Sequence, residues 1–188
     1  MIQFNGPDEL GTWLMGAGID VSVWGTGGRK RVADLWRELV TGDCVLETEP
    51  PRRVVRVAQI IIRRGSNVLV EAEQVLEDGQ QRSRHVLPSE KMKPGEPFAD
   101  AALRCLCEEM GVHAEDVHFL GATYQRRERL ADSRSYPGLP ACYVIHSIEA
   151  QVAGLPDTDF WRDNAAYPEG DPVQRHRWAW RSGTGVIQ

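Results

Sequence analysis

The sequence predicts a mixed α/β fold, a sheet of several strands with helices packed on it. Two observations carry this: β-branched runs recur along the chain between turn residues, and one strongly helical segment lies among them. Size is a third. At 188 residues, with 41% apolar and 26% charged composition, the chain can bury one sizeable core but is short for two. The reading is an N-terminal extension with short helices over residues 1–52 and a main domain over 53–188.

In the extension, Val32, Leu35, Trp36, Leu39 and Val40 recur at helical spacing between Lys30 and Thr41, so a short packing helix is expected with these on one face. Gly25-Thr26-Gly27-Gly28-Arg29-Lys30 precedes it. The run offers backbone amides to an anion but lacks the Gly-Lys-Ser/Thr of a phosphate-binding loop, so it reads as a flexible connector. Glu49-Pro50-Pro51 punctuates the chain and sets the domain boundary.

The main domain opens with strands at Val54 to Ile62 and Val68 to Glu73, joined as a hairpin through Arg63-Arg64-Gly65-Ser66-Asn67. A turn follows at Glu77-Asp78-Gly79. Further strands are expected at Val117 to Tyr124, at Cys142 to Val152 and near Arg177 to Trp180. Between the hairpin and these strands, Pro97 suits a helix start and Gly111 the position just past its end, which predicts a helix from Pro97 to Met110.

Charge and composition exclude several roles. With 27 acidic and 22 basic residues the net charge is −5, so bulk nucleic acid is not an expected partner. No run of 18 apolar residues occurs, and MIQFNGPDEL has neither a basic nor an apolar leader region, so no membrane partner is expected and the location reads as cytoplasmic. Four cysteines without CxxC spacing read as reduced thiols, and the five histidines show no zinc-ligand spacing.

The chemistry sits in EKMKPGEPFADAALRCLCEEMGV, Glu90 to Val112. Asp100, Arg104 and Glu108 are spaced four apart and share a helical stripe, with Glu109 beside it and Cys105 within a turn of both glutamates. Two adjacent carboxylates and an arginine on one helical side could be an ordinary solvated face or a metal site.

The segment resembles the Nudix box, G-x5-E-x7-R-E-U-x-E-E-x-G-U with U a bulky aliphatic. Glu96, Arg104, Leu106, Glu108, Glu109, Gly111 and Val112 match it without gaps, and Leu87-Pro88 and Pro94-Gly95 look like its usual flanks. The resemblance implies an α/β/α sandwich. It also implies a hydrolase that cleaves the diphosphate linkage of a nucleoside diphosphate derivative, a small-molecule partner, using Mg2+ or Mn2+. Hard divalent cations prefer carboxylate oxygens, which agrees. Glu108 and Glu109 are then the expected metal ligands, with Arg104 orienting the carboxylates and Glu96 as its neighbour.

Two positions depart from the pattern. Glu90 stands where a glycine is expected, and Cys105 where a glutamate is expected that serves as ligand or base. A thiolate matches magnesium poorly, and Cys105 and Cys107 point to different sides of the helix, so both read as small buried filler. Glu90 is either a surface glutamate or a carboxylate returned to the metal and catalytic site. Glu128, Glu149, Glu169 and Asp171 are equivalent candidates for a further acidic group.

Arg126 and Arg127, with Arg129, are candidate phosphate contacts and Tyr124 a candidate base-stacking ring, against the alternative of an exposed strand face. The competing functional class is a Nudix-fold nucleotide-binding or regulatory protein that has lost turnover. The extension, with Trp13, Trp24 and Trp36, is expected to cover the sheet or form a homodimer contact.

Overall fold

A computed structural model of the chain describes residues 3–167 and 172–183. The helices are α1 (Pro7–Gly16), α2 (Val32–Thr41) and α3 (Phe98–Met110). The strands are β1 (Val45–Thr48), β2 (Pro51–Arg64), β3 (Asn67–Leu76), β4 (Gln81–Val86), β5 (Ser89–Lys91), β6 (Val117–Ala131), β7 (Ala141–Val152), β8 (Phe160–Asp163) and β9 (Val173–Ser182). The mixed α/β class, with a large sheet and few helices, is the one expected. The chain divides into two compact units that interleave along the sequence. The first takes the residues up to Val57 with Lys91–Gly95 and Arg127–Ile145, and the second takes Ala58–Glu90, Glu96–Arg126 and the chain from His146.

In the first unit, α1 begins with a proline in its first turn and Asp8 and Glu9 beside the exposed amides, which favours a helix start there. Leu10, Leu14, Leu35, Leu46, Val55 and Tyr136 form its core, with Trp24. Strand β1 pairs antiparallel with the start of β2 from Val45 opposite Val54 to Thr48 opposite Pro51, so the Glu49-Pro50 punctuation is the hairpin turn between them. The glycine run before α2 is tied in place: Gly25 N–H donates to Lys30 O and Lys30 N–H to Ser135 O, both at 3.1 Å. On α2, Leu35 is buried as expected, but Val40 is 66% exposed. Five residues is 140° past Leu35 on a 100° helix, beyond the apolar stripe.

The α2 helix also carries a charge into this core. Glu38, 5% exposed, accepts from Arg53 Nη1 at 2.6 Å, Lys30 Nζ at 2.5 Å and Tyr136 OH at 3.0 Å. Burial alone would raise its pKa, but these partners outweigh that and hold the carboxyl below its ordinary value. Burial, and then the charge of Glu38, push the Cys44 thiol up to about 12.

The strand order of the sheet is β6-β7-β2-β3-β9-β8, with β1 and β5 on β2 and β4 on β3. Strand β3 is central, and its Val68, Leu69 and Val70 are fully buried. The β2–β3 hairpin is tighter than expected. Arg64 already pairs with Asn67, leaving Gly65-Ser66 as the turn, with Gly65 at φ 58° where a side chain would be strained. Strand β6 runs seven residues past its expected end at Tyr124, so the arginine-rich stretch is strand. Helix α3 starts one residue later than expected, with Pro97 as its N-cap, and ends at Gly111 in the left-handed conformation. Its last carbonyls are capped from the chain's C-terminal third: Ala165 N–H donates to Glu108 O at 2.9 Å, Trp178 Nε1 to Glu109 O at 3.3 Å and Arg162 Nε to Met110 O at 3.2 Å.

Replacing Glu38 by Gln leaves Arg53 buried with its countercharge removed, and the expected loss of stability at neutral pH is about 3 kcal/mol or more. Because the native pKa is depressed, the stabilisation is complete above the unfolded carboxylate range and fades as pH falls through the native value. Urea unfolding at neutral pH and at pH values below the ordinary carboxylate range should show wild type losing more stability on acidification than Glu38→Gln. Equal losses would mean that the carboxylate is not ionised in the native core.

Candidate active site

The candidate site assembles around one guanidinium. Arg104, on the second turn of α3, donates from Nε to Glu96 Oε1 at 3.1 Å and from Nη2 to Glu96 Oε2 at 3.2 Å, a two-pronged pair reaching back to the residue before Pro97. Its Nη1 lies 3.8 Å from Glu90 Oε2 and 3.7 Å from Glu108 Oε2, within ion-pair reach but too long for good hydrogen bonds. Arg104 and Glu96 side chains are 18% and 13% exposed, whereas Glu90 and Glu108 keep 27% and 32%. The inner pair is the more buried, and the outer two carboxylates are partly exposed. The helical spacing of Arg104 and Glu108 was readable from sequence. Convergence of Glu90 on the same nitrogen was not, because that depends on the path of residues 91–95.

Glu109 is partly buried beside Glu108. Cys105, one turn before it, is fully buried. Burial, then the neighbouring charges of Glu109, Glu90 and Glu71, push its thiol well above the ordinary range, so it is neutral at physiological pH. A neutral buried thiol is neither a base nor a ligand for a hard cation. Cys107 departs from the expectation of buried filler. It is exposed, because two residues along a helix is about 200° around it.

Glu71 had no assigned role in the sequence. It lies on β3, 4% exposed, with Oε1 2.5 Å from His176 Nδ1 and Oε2 3.2 Å from Arg84 Nε. Burial would raise its pKa, but His176, Arg84 and Gln74 hold it below the ordinary value. The signal was present: a carboxylate inside the apolar run Val68 to Glu73. Its partner could not be read, since His176 lies 105 residues away.

Of the candidate recognition residues, Tyr124 is 44% exposed, its hydroxyl 2.7 Å from His146 Nδ1 and its ring edge-on to Phe98 at 5.5 Å. Arg126 is exposed on the same strand, whereas Arg127 is half-buried and belongs to the first unit. Glu149 is engaged by Arg63 Nε at 2.8 Å. Glu128 is exposed, and Glu169 and Asp171 lie outside the described residues.

Carboxylates are the right donor type for Mg2+ or Mn2+. Their present placement is not a ready cage: among the described residues no three His, Cys, Asp or Glu side chains are gathered closely enough to hold a metal ion. Nor, among those residues, is any helix long and apolar enough to cross a membrane.

The NUDIX domain model matches residues 50–178, more than half of the chain. The chain therefore belongs to the NUDIX domain family. Its class is that of the Nudix pyrophosphohydrolases. No curated protein matches it in sequence. Solved structures similar to it include the E. coli ORF135 protein, at 18% identity and TM-score 0.36, covering 69% of this chain and 74% of that one. A C. elegans Ap4A hydrolase binary complex is similar at 17% identity and TM-score 0.34, covering 68% and 80%. An ADP compounds hydrolase is similar at 21% identity and TM-score 0.32, covering 66% and 57%. The assignment rests on the family model and not on these distant likenesses.

Native alkylation with iodoacetamide followed by peptide mass mapping should label Cys107 and spare Cys44, Cys105 and Cys142, with all four labelled after unfolding. Rapid native labelling of Cys105 would contradict its burial.

Proposed function

We propose that the chain is a divalent-metal-dependent hydrolase that cleaves the diphosphate linkage of a nucleoside diphosphate derivative. The observation that supports this most is the convergence of Glu90, Glu96 and Glu108 on Arg104 within the family's signature segment. Glu96 fixes the guanidinium, and the guanidinium fixes the outer carboxylates at the surface. Glu108 and Glu109 are the residues that would hold Mg2+ or Mn2+, joined by Glu90. Such a cation, when bound, offsets charge on a diphosphate and polarises water.

Glu90 has the second part. Cys105 carries no charge to contribute, while Glu90 brings a partly exposed carboxylate to the same arginine. In this reading Glu90 replaces the acidic group that Cys105 lacks, as a ligand or as acceptor of the water proton. Tyr124 and Arg126 are kept as substrate contacts, since both are exposed. The substrate is a small nucleotide derivative, and the protein acts in the cytoplasm.

A panel of nucleoside diphosphate derivatives, assayed with Mg2+ and with Mn2+, tests the reading. Glu109→Gln should weaken manganese binding and turnover while leaving unfolding behaviour unchanged. Glu90→Gln should lose about two or more powers of ten in rate, with Cys105→Ala nearly silent. Turnover unaffected by Glu90→Gln but lost in Cys105→Ala would overturn the substitution of roles.

A further inference from the structure

The first unit encloses a cavity of about 650 Å³ that none of the family-signature carboxylates lines. Its walls come from the start of the chain, α2, β1, the first part of β2 and residues 92–95. Most of them precede residue 50, where the family match begins. The volume lies in the ordinary range for small-molecule pockets, about 300–1,000 Å³.

The lining has two characters. Phe4 and Trp36 give it aromatic surface, and Leu39 and Val40 extend the apolar wall. Val40, which the helical spacing assigned to the packed face, is instead 66% exposed and lines the cavity, a large apolar group left in water. Arg56 and Lys93 add two cationic side chains, both exposed. Among the described residues the Arg56 guanidinium has no hydrogen bond or ion pair. One carboxylate, Asp43, also lines the space and accepts a hydrogen bond from Thr41 Oγ1 at 2.8 Å. The wall itself is closely built. Gly42 sits at φ 78°, and a side chain there would overlap the Pro94 ring.

Each half of this lining excludes a class of ligand. A purely apolar molecule has no use for two cations, and free phosphate has none for an aromatic wall. A flat ring system carrying an anionic group uses both, stacking against an indole while its charge meets a guanidinium and an ammonium. With a chain net charge of −5, the attraction must be local to Arg56 and Lys93 and not a general field.

We propose that this cavity is a binding site for a mononucleotide, its base against Trp36 and its phosphate at Arg56 and Lys93. The choice of a nucleotide among aromatic anions rests on the hydrolase reading above, whereas the cavity and its charges do not.

Calorimetric titration of the full-length chain with AMP, adenosine and inorganic phosphate, all in EDTA, separates this site from any metal-dependent one. AMP should bind one to one, adenosine about tenfold or more weakly, and phosphate not measurably. Arg56→Ala with Lys93→Ala should weaken AMP about tenfold or more, and both residues are exposed, so the fold should survive. Val40→Glu, which sets a negative charge in the exposed wall, should weaken AMP as well. Glu109→Gln should bind AMP as wild type does. No AMP binding, binding indifferent to the Arg56 and Lys93 changes, or binding lost in Glu109→Gln would overturn the proposal. Hydrolysis that fails while AMP still binds in EDTA would count against the hydrolase reading alone.

Discussion

The two-pronged contact between Arg104 and Glu96 is the constraint on which the candidate site depends. It links the second turn of α3 to the residue just before the helix, and it leaves the remaining guanidinium nitrogen turned to Glu90 and Glu108. Glu90 and Glu96 flank residues 91–95, so a single side chain holds both ends of that segment. Without the arginine, three carboxylates would lose a shared countercharge. A lysine would not substitute, since it lacks the planar fork that grips both oxygens of Glu96.

Buried charge elsewhere has a different meaning. Glu38 and Glu71 are almost fully buried, and each is matched by several donors that keep it ionised. Such groups hold segments in register: Glu38 ties α2 to β2 and to Tyr136, and Glu71 ties β3 to β9 through His176. Glu38 is 5% and Glu71 4% exposed. Glu90 and Glu108 differ in exposure, their side chains keeping 27% and 32% of their surface in water. Partial exposure, and not acidity as such, separates the candidate ligands from these buried carboxylates.

Much of the fold was readable wherever a local signal was strong. Pro97 and Gly111 bracket α3 almost to the residue, because a fixed φ and a left-handed φ act within one turn of chain. The β2–β3 hairpin follows from β-branched runs between turn residues, and the strands near Val117 and Cys142 from β-branched and aromatic residues between turns. Strand β8 was not readable, as its four residues, Phe-Trp-Arg-Asp, have no periodicity and are strand only because β9 lies beside them. Likewise β4, with the pattern Gln-Arg-Ser-Arg-His-Val, is polar and mostly exposed and owes its conformation to β3. At the site, the helical stripe of Arg104 and Glu108 was legible from spacing alone. The approach of Glu90, the roles of Glu71 and His176 and the exposure of Val40 needed tertiary structure, because each is set by residues far away in sequence.

The central claim is that the half-exposed carboxylates of the signature segment hold the cation, and that the buried thiol among them takes no part. Anomalous scattering from crystals grown with Mn2+ tests this most directly, because it locates the ion without reference to turnover. The expected result is a manganese peak in contact with the Glu108 and Glu109 carboxylates and with Glu90, and none at the Cys105 sulfur. A peak bound by other residues, or ordered crystals with no peak at saturating manganese, would contradict it.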